Sequence, residues 1–239
     1  MEILKVKQGF LILSSLLFIC NVSVWMTHAQ GLIPAKFDGF VYKDNLPHAD
    51  TIIIEAFFDP LCPSCRDAWP PLKRALEYYG PRLSLIVHTF PLPYHDYAFF
   101  ISRALHIVNK LNAPATYPLL ELFLNNQWRY TNHHTYNMSR AYVVDHTVEI
   151  IAKAVGEDLF SAIKSGFNDI NSDLATRVSF KYGCSRGVTG TPHFIVNGFP
   201  LPNAGSALDY EGWRSIIDPL INKQDQSGDE TPYLLMKDV

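Results

Sequence analysis

From residue 51 to 58 the chain reads Thr-Ile-Ile-Ile-Glu-Ala-Phe-Phe, a β-branched and aromatic run with one polar interruption. Such a run is the pattern of a buried strand. Asp59-Pro60 ends it as a turn signal, and Cys62-Pro63-Ser64-Cys65 follows at once. Beyond the cysteines, Trp69, Leu72, Leu76 and Tyr79 recur at three- and four-residue steps, which predicts a helix with one apolar face. Pro70 and Pro71 fall inside that pattern, so the helix should kink there or begin with a short separate segment over 62–69. Gly80-Pro81 stops it. Residues 83–90 form a second apolar run closed by Pro91 and Pro93. Strand, helix and strand in about forty residues suggest a right-handed parallel crossover.

A helical block of about eighty residues comes next. Helical patterns cover 97–111, 117–126, 139–155 with Ser139 as N-cap, 157–167 and 170–182. Residues 193–197 read as a third strand, and Asn197-Gly198 is a tight-hairpin signal that returns the chain as a short strand over 199–201. Trp213, Ile216, Ile217 and Leu220 give a closing helix over 209–222 its apolar side. The polar, charged stretch 223–239 is expected to be a flexible tail.

Composition narrows the function class. With 48% hydrophobic and 18% charged residues, the 239-residue chain can bury a real core and is not a disordered polymer. A net charge of −3 lacks the basic excess of a nucleic-acid-binding protein. The N-terminus carries Lys5 and Lys7, an apolar run over 9–20, and Thr27 and Ala29 at the spacing of a cleavage site. Residues 1–29 are therefore expected to be a cleaved secretory signal. A membrane anchor over 9–26 is the alternative, interrupted by Asn21. After cleavage no segment is long and apolar enough to span a bilayer, and the domain over 30–222 is expected in an oxidising compartment. Extracellular space and endomembrane lumen both fit, since the C-terminal Met-Lys-Asp-Val is not an ER-retention tetrapeptide. Asn137-Met138-Ser139 is a glycosylation sequon at a position expected on the surface.

Three cysteines follow the signal: Cys62, Cys65 and Cys184. A Cys-x-x-Cys between a strand and a helix points to redox chemistry. A thiolate at a helix N-terminus meets unpaired N–H donors and the positive end of the dipole, which lowers the pKa of Cys62. Cys65, one turn further in, is placed to resolve a mixed disulfide on Cys62. A permanent structural disulfide, half of a zinc site and chance are the competing readings. Zinc would need two more ligands, which the adjacent His133-His134 do not obviously supply.

Gly187-Val188-Thr189-Gly190-Thr191-Pro192 stands before the third strand. With this run in place, the sequence resembles the thioredoxin superfamily, most closely its DsbA-like branch, over roughly residues 50–220. Phe90-Pro91-Leu92-Pro93-Tyr94-His95 is similar to the element after the second strand of DsbA-like domains, and Pro70 to the helix-kinking proline of thioredoxins. The resemblance implies an α/β thioredoxin-like fold with an inserted all-helical subdomain, approximately 97–182. It implies a cis-proline at Pro192, set against the cysteines, with Thr191 offering its backbone to substrate. It also implies thiol–disulfide exchange on protein substrates in the secretory pathway with no metal or organic cofactor. Glutathione or a membrane protein is the candidate redox partner. A non-catalytic binding protein with a static disulfide is the alternative, and a glutathione-dependent transferase or isomerase a more distant one.

Three further residues are candidate modulators. Glu55 would be the buried acid of the first strand, a proton carrier of raised pKa, although it stands seven residues before Cys62, one more than the family offset. Pro63-Ser64 lacks the histidine that DsbA places between its cysteines, which predicts a less oxidising protein unless His193 faces Cys62. Cys184 is expected to be a buried, small apolar residue, with a third thiol near the site as the other reading.

Overall fold

Strand β2 (Ile52–Phe58) is buried along almost its whole length and takes the centre of the sheet. It runs parallel to β3 (Leu83–Thr89), with Ile52 opposite Leu83 and Phe58 opposite Thr89, and antiparallel to β4 (His193–Val196), with Phe57 opposite His193. A strand covered on both faces needs apolar side chains at every step, which is why the run does not alternate. The computed structural model describes residues 36–47, 50–202 and 205–227. The expected signal over 1–29 and the end of the expected tail, from 228 on, lie outside the described residues. By compactness the chain divides after Phe37, and the second unit begins at Asp38.

Two short strands complete the sheet in the order β1-β3-β2-β4-β5. β1 (Phe40–Val41) pairs antiparallel with β3, and β5 (Phe199–Pro200) antiparallel with β4. The hairpin between β4 and β5 is the one that Asn197-Gly198 predicts. Both residues have positive φ, 48° and 85°, as the right-handed twist of a two-residue turn requires. Asn197 also extends the central pairing, its side-chain oxygen accepting from the Ile53 amide at 2.8 Å. β1 is too short to leave a period in the sequence.

Adjacent residues of β2 point to opposite faces. Phe58 packs edge-on to Phe194 and Trp69, and Phe194 to the fully buried Trp213. These rings join the sheet to α1 (Pro63–Tyr79) and α8 (Tyr210–Ser227). Phe57 faces the other way and stacks on His88 and on Tyr182 of α7 (Ile170–Ser185). α7 comes so close that a Cβ on Gly183 would meet the Phe90 ring at 2.6 Å.

α1 is one continuous helix despite Pro70 and Pro71. The carbonyls those prolines leave without a donor belong to Arg66 and Asp67, both exposed residues, so water can satisfy them. α8 runs on to Ser227, beyond the 222 expected, so the segment after 222 begins as helix.

Between β3 and β4 lies the expected helical block: α2 (Ala98–Leu111), α3 (Thr116–Asn125), α4 (Asn132–Thr135), α5 (Arg140–Val155), α6 (Phe160–Gly166) and α7. Ser139 caps α5, its hydroxyl accepting from the Tyr142 amide at 3.1 Å, and Gly156 at φ 135° ends that helix. Tyr117 of α3 anchors the block, stacking on Trp69 of α1 and donating its hydroxyl to the Phe40 carbonyl at 2.6 Å. Among the described residues no helix is long and apolar enough to cross a membrane.

Glu55 belongs to a polar cluster on the α7 side of the sheet. His88, fully buried, holds Asp38 at 2.8 Å and Glu55 at 3.4 Å. Ser179 donates to both oxygens of Asp38, and Tyr182 donates to Glu55 at 2.6 Å. Burial alone would push the imidazole pKa down and both carboxylates up, but the hydrogen bonds and opposite charges reverse each direction. The cluster ties the start of the domain to α7.

Candidate active site

β2 ends in the turn that builds the site. The Cys62 amide donates to the Asp59 carbonyl at 3.0 Å, and the Leu61 amide to a carboxylate oxygen of Asp59 at 2.8 Å. Cys62 then stands at the N-cap of α1 in extended conformation, with Pro63 in the first turn. This local order follows from sequence: proline suits the first helical position, where no N–H partner is missed. Cys62 is 6% exposed and Cys65 is fully buried, and neither sulfur is in a disulfide.

The two thiols differ in acidity. The Cys65 thiol as hydrogen-bond partner pulls Cys62 down most. Burial opposes it, and Thr191 and the backbone amides of Ser64 and Cys65 add to it, leaving Cys62 at about 5. Cys65 is driven up by burial and by the neighbouring Cys62 thiolate. At neutral pH the pair is therefore one thiolate and one thiol, the arrangement that a helix N-terminus and a buried neighbour produce together.

The loop before β4 faces this pair. The Thr191–Pro192 peptide bond is cis, and as a thiol Cys62 donates to the Thr191 carbonyl at 3.4 Å. The Thr191 hydroxyl is buried with no hydrogen-bond partner among the described residues, and Thr191 favours the thiolate of both cysteines. The structure thus brings Cys62, Cys65, Thr191 and Pro192 together.

The modulators fall elsewhere. Glu55 points into the His88 cluster, and its pKa is lowered rather than raised, because His88, Tyr182 and Arg186 outweigh burial. His193 lies buried against Phe57 with neither ring nitrogen hydrogen-bonded among the described residues, and burial lowers its pKa, which favours the neutral imidazole. Cys184 is exposed near the end of α7, not buried as the sequence suggested. It follows Gly183, which faces Phe90, and so turns outward. Asn137 is exposed in the turn before α5.

Two residues shape the site in ways that the sequence does not signal. Asp59, fully buried, accepts from the Leu92 amide at 3.0 Å and from His95 Nδ1 at 2.7 Å. The Asp59 hydrogen bond raises the His95 pKa, burial opposes it, and the Cys62 charge adds to the rise. The imidazole drawn toward its charged form beside the cysteines is therefore His95 rather than His193. His95 is part of the Phe90–His95 element, but only its ion pair reveals its use. Gln127, buried in the turn after α3, donates to the carbonyls of Pro60 at 3.0 Å and Cys62 at 2.8 Å. The helical block thereby grips the cysteine loop from outside. A glutamine in a surface-like sequence context gives no hint of this.

A search of curated proteins finds no match. Solved structures do match. A provisionally named protein-disulfide isomerase from Pseudomonas syringae is 19% identical, covers 73% of this chain and 98% of its own, and superposes with a TM-score of 0.61. The thiol-disulfide exchange protein alpha-DsbA2 from Wolbachia pipientis is 18% identical, covering 76% of this chain and 87% of its own, with a TM-score of 0.56. The oxidoreductase NmDsbA1 from N. meningitidis is 16% identical, covering 84% and 97%, with a TM-score of 0.54. At these identities the likeness is one of fold, and the fold is a thioredoxin unit interrupted by helices. A family model described as Thioredoxin matches residues 47–219, most of the described domain, and the chain belongs to the thioredoxin family.

Proposed function

We propose that the protein is a thiol–disulfide oxidoreductase of protein substrates in the secretory pathway, with Cys62 as nucleophile and Cys65 as resolving thiol. In the reducing direction the Cys62 thiolate attacks one sulfur of a client disulfide and expels the other as a thiolate. Cys65 then gives up its proton and attacks Cys62 Sγ, releasing the second client thiolate and leaving a Cys62–Cys65 disulfide. Two electrons pass to the client, and the oxidising direction is the same path reversed. Thr191 and Pro192 dock the client backbone beside Cys62. Residues 1–29 direct export and are removed, leaving the domain over 30–222, and Asn137 carries a glycan.

The observation that carries this reading is the split acidity of the pair, Cys62 at about 5 and Cys65 well above the ordinary thiol range. A static disulfide has no use for it. It also bears on direction: a stable thiolate is a good leaving group and favours the reduced protein, which makes the disulfide oxidising. A Cys62 near 5 stands between the roughly 7 of thioredoxin and roughly 3.5 of DsbA.

The test is the pH profile of alkylation in the reduced protein, read by mass shift. Cys62 should react at a constant rate above about pH 6 and fall tenfold per unit as pH drops below its pKa of about 5. Cys65 should stay unreacted across that range. Half-reaction near pH 8.5 for both thiols would leave the pair with no activated nucleophile and defeat the proposal.

A further inference from the structure

The His95 end of the site opens into a groove of about 790 Å³, between the loop after β3, the start of α2 and the outer face of α7. Leu92, Phe99 and Phe180 supply an apolar lining. Arg140, Arg177 and Lys181 stand with them against one carboxylate, Asp96. Arg177 is already held by Asp173 and lies over the Phe99 ring. Arg140 and Lys181 are exposed and make no ion pair among the described residues. The protein as a whole carries a net charge of −3, so this excess of cations is local and opposite to the bulk.

The groove also reaches the chemistry. His95 lines it and holds Asp59, whose own backbone carbonyl takes the Cys62 amide. One end therefore lies a single turn from the nucleophile. The volume is that of a site for several side chains, and its mixture of rings and unpaired cations is a surface for a peptide with apolar and acidic groups together.

We propose that this groove receives an extended segment of the client polypeptide that carries an acidic residue beside an apolar one, the apolar side chain against Phe99 and Phe180 and the carboxylate at Arg140 and Lys181. The inference rests on the oxidoreductase reading above and gives it a substrate preference. Glutathione has the carboxylates but no apolar side chain, so it would leave the rings uncovered.

The experiment uses fluorescent peptides in which serine replaces the reacting cysteine, so that binding is read by anisotropy without any exchange. A peptide with Leu-Asp beside the serine should bind about tenfold more tightly than the Leu-Asn peptide, the size expected of two exposed charge contacts. The preference should shrink with added salt. In the Arg140→Ala/Lys181→Ala double variant, whose two sites are both on the surface, the two peptides should bind alike. Equal binding of the two peptides to the natural protein would overturn the proposal. So would a preference that survives in the double variant, or glutathione displacing the Leu-Asp peptide from the natural protein as readily as the unlabelled Leu-Asp peptide does. The cysteine forms of the same peptides, presented as disulfides, separate this outcome from the parent reading. Binding with the stated preference but without exchange would defeat the oxidoreductase reading and leave the groove as a docking site.

Discussion

The Cys62→Ala protein is expected to lose exchange with peptide disulfides by at least about a thousandfold, the scale on which removal of a sole nucleophile acts. No neighbour can substitute for it. Cys65 is fully buried and its thiol is held well above its ordinary pKa, so it supplies almost no thiolate at neutral pH. Cys184 is exposed, but it lies on α7 rather than in the loop that Thr191 faces. Cys65→Ala should behave differently. Attack by Cys62 still occurs, but nothing resolves the product, and a mixed disulfide with the peptide accumulates in about one equivalent. Mass spectrometry under non-reducing conditions reads both outcomes. A Cys62→Ala protein with unimpaired turnover would show that the chemistry resides elsewhere.

The second large effect is on stability. Asp59→Ala should cost about 3–5 kcal/mol, because it leaves His95, Leu61 and Leu92 without the buried carboxylate that accepts from all three. In a domain of this size that is a fall in Tm of roughly 6–20 °C. Asp59→Asn keeps the acceptor oxygen for one amide and should cost less than the alanine. Urea denaturation of the three proteins checks this. A change below about 1 kcal/mol for Asp59→Ala would mean that the turn before Cys62 is held by other contacts. The two effects are linked, since the same carboxylate fixes the turn and the His95 ring beside the nucleophile.

What the sequence made legible was local. The run over 51–58, the Cys-x-x-Cys after it, the Asn197-Gly198 turn and the Ser139 cap each state their structure within a few residues, by periodicity, turn chemistry or capping. Thr191-Pro192 became legible only through family resemblance, because nothing in a lone proline marks a cis bond. What stayed hidden depends on contacts across long separations. Asp59 reads as a turn residue, and its role appears when His95 and Leu92 fold onto it. Gln127 lies 65 positions from the carbonyl of Cys62 that it holds. Glu55 went astray for a related reason. Its burial was anticipated, but the sign of its pKa depends on His88 and Tyr182, which only the packing of β3 and α7 brings to it. His193 shows the limit of adjacency: it neighbours Pro192 in sequence, yet strand alternation turns it toward Phe57.

The central claim is that Cys62 and Cys65 form a working redox couple, and a glutathione redox titration tests it most directly. It should be followed by alkylation mass shift on the natural protein and on Cys184→Ser, which removes the exposed third thiol from the count. The account expects a reversible two-electron couple between about −270 and −120 mV, the range from thioredoxin to DsbA. Cys184→Ser should leave it unmoved. A pair that stays oxidised below about −300 mV would be a structural disulfide, and would contradict the account.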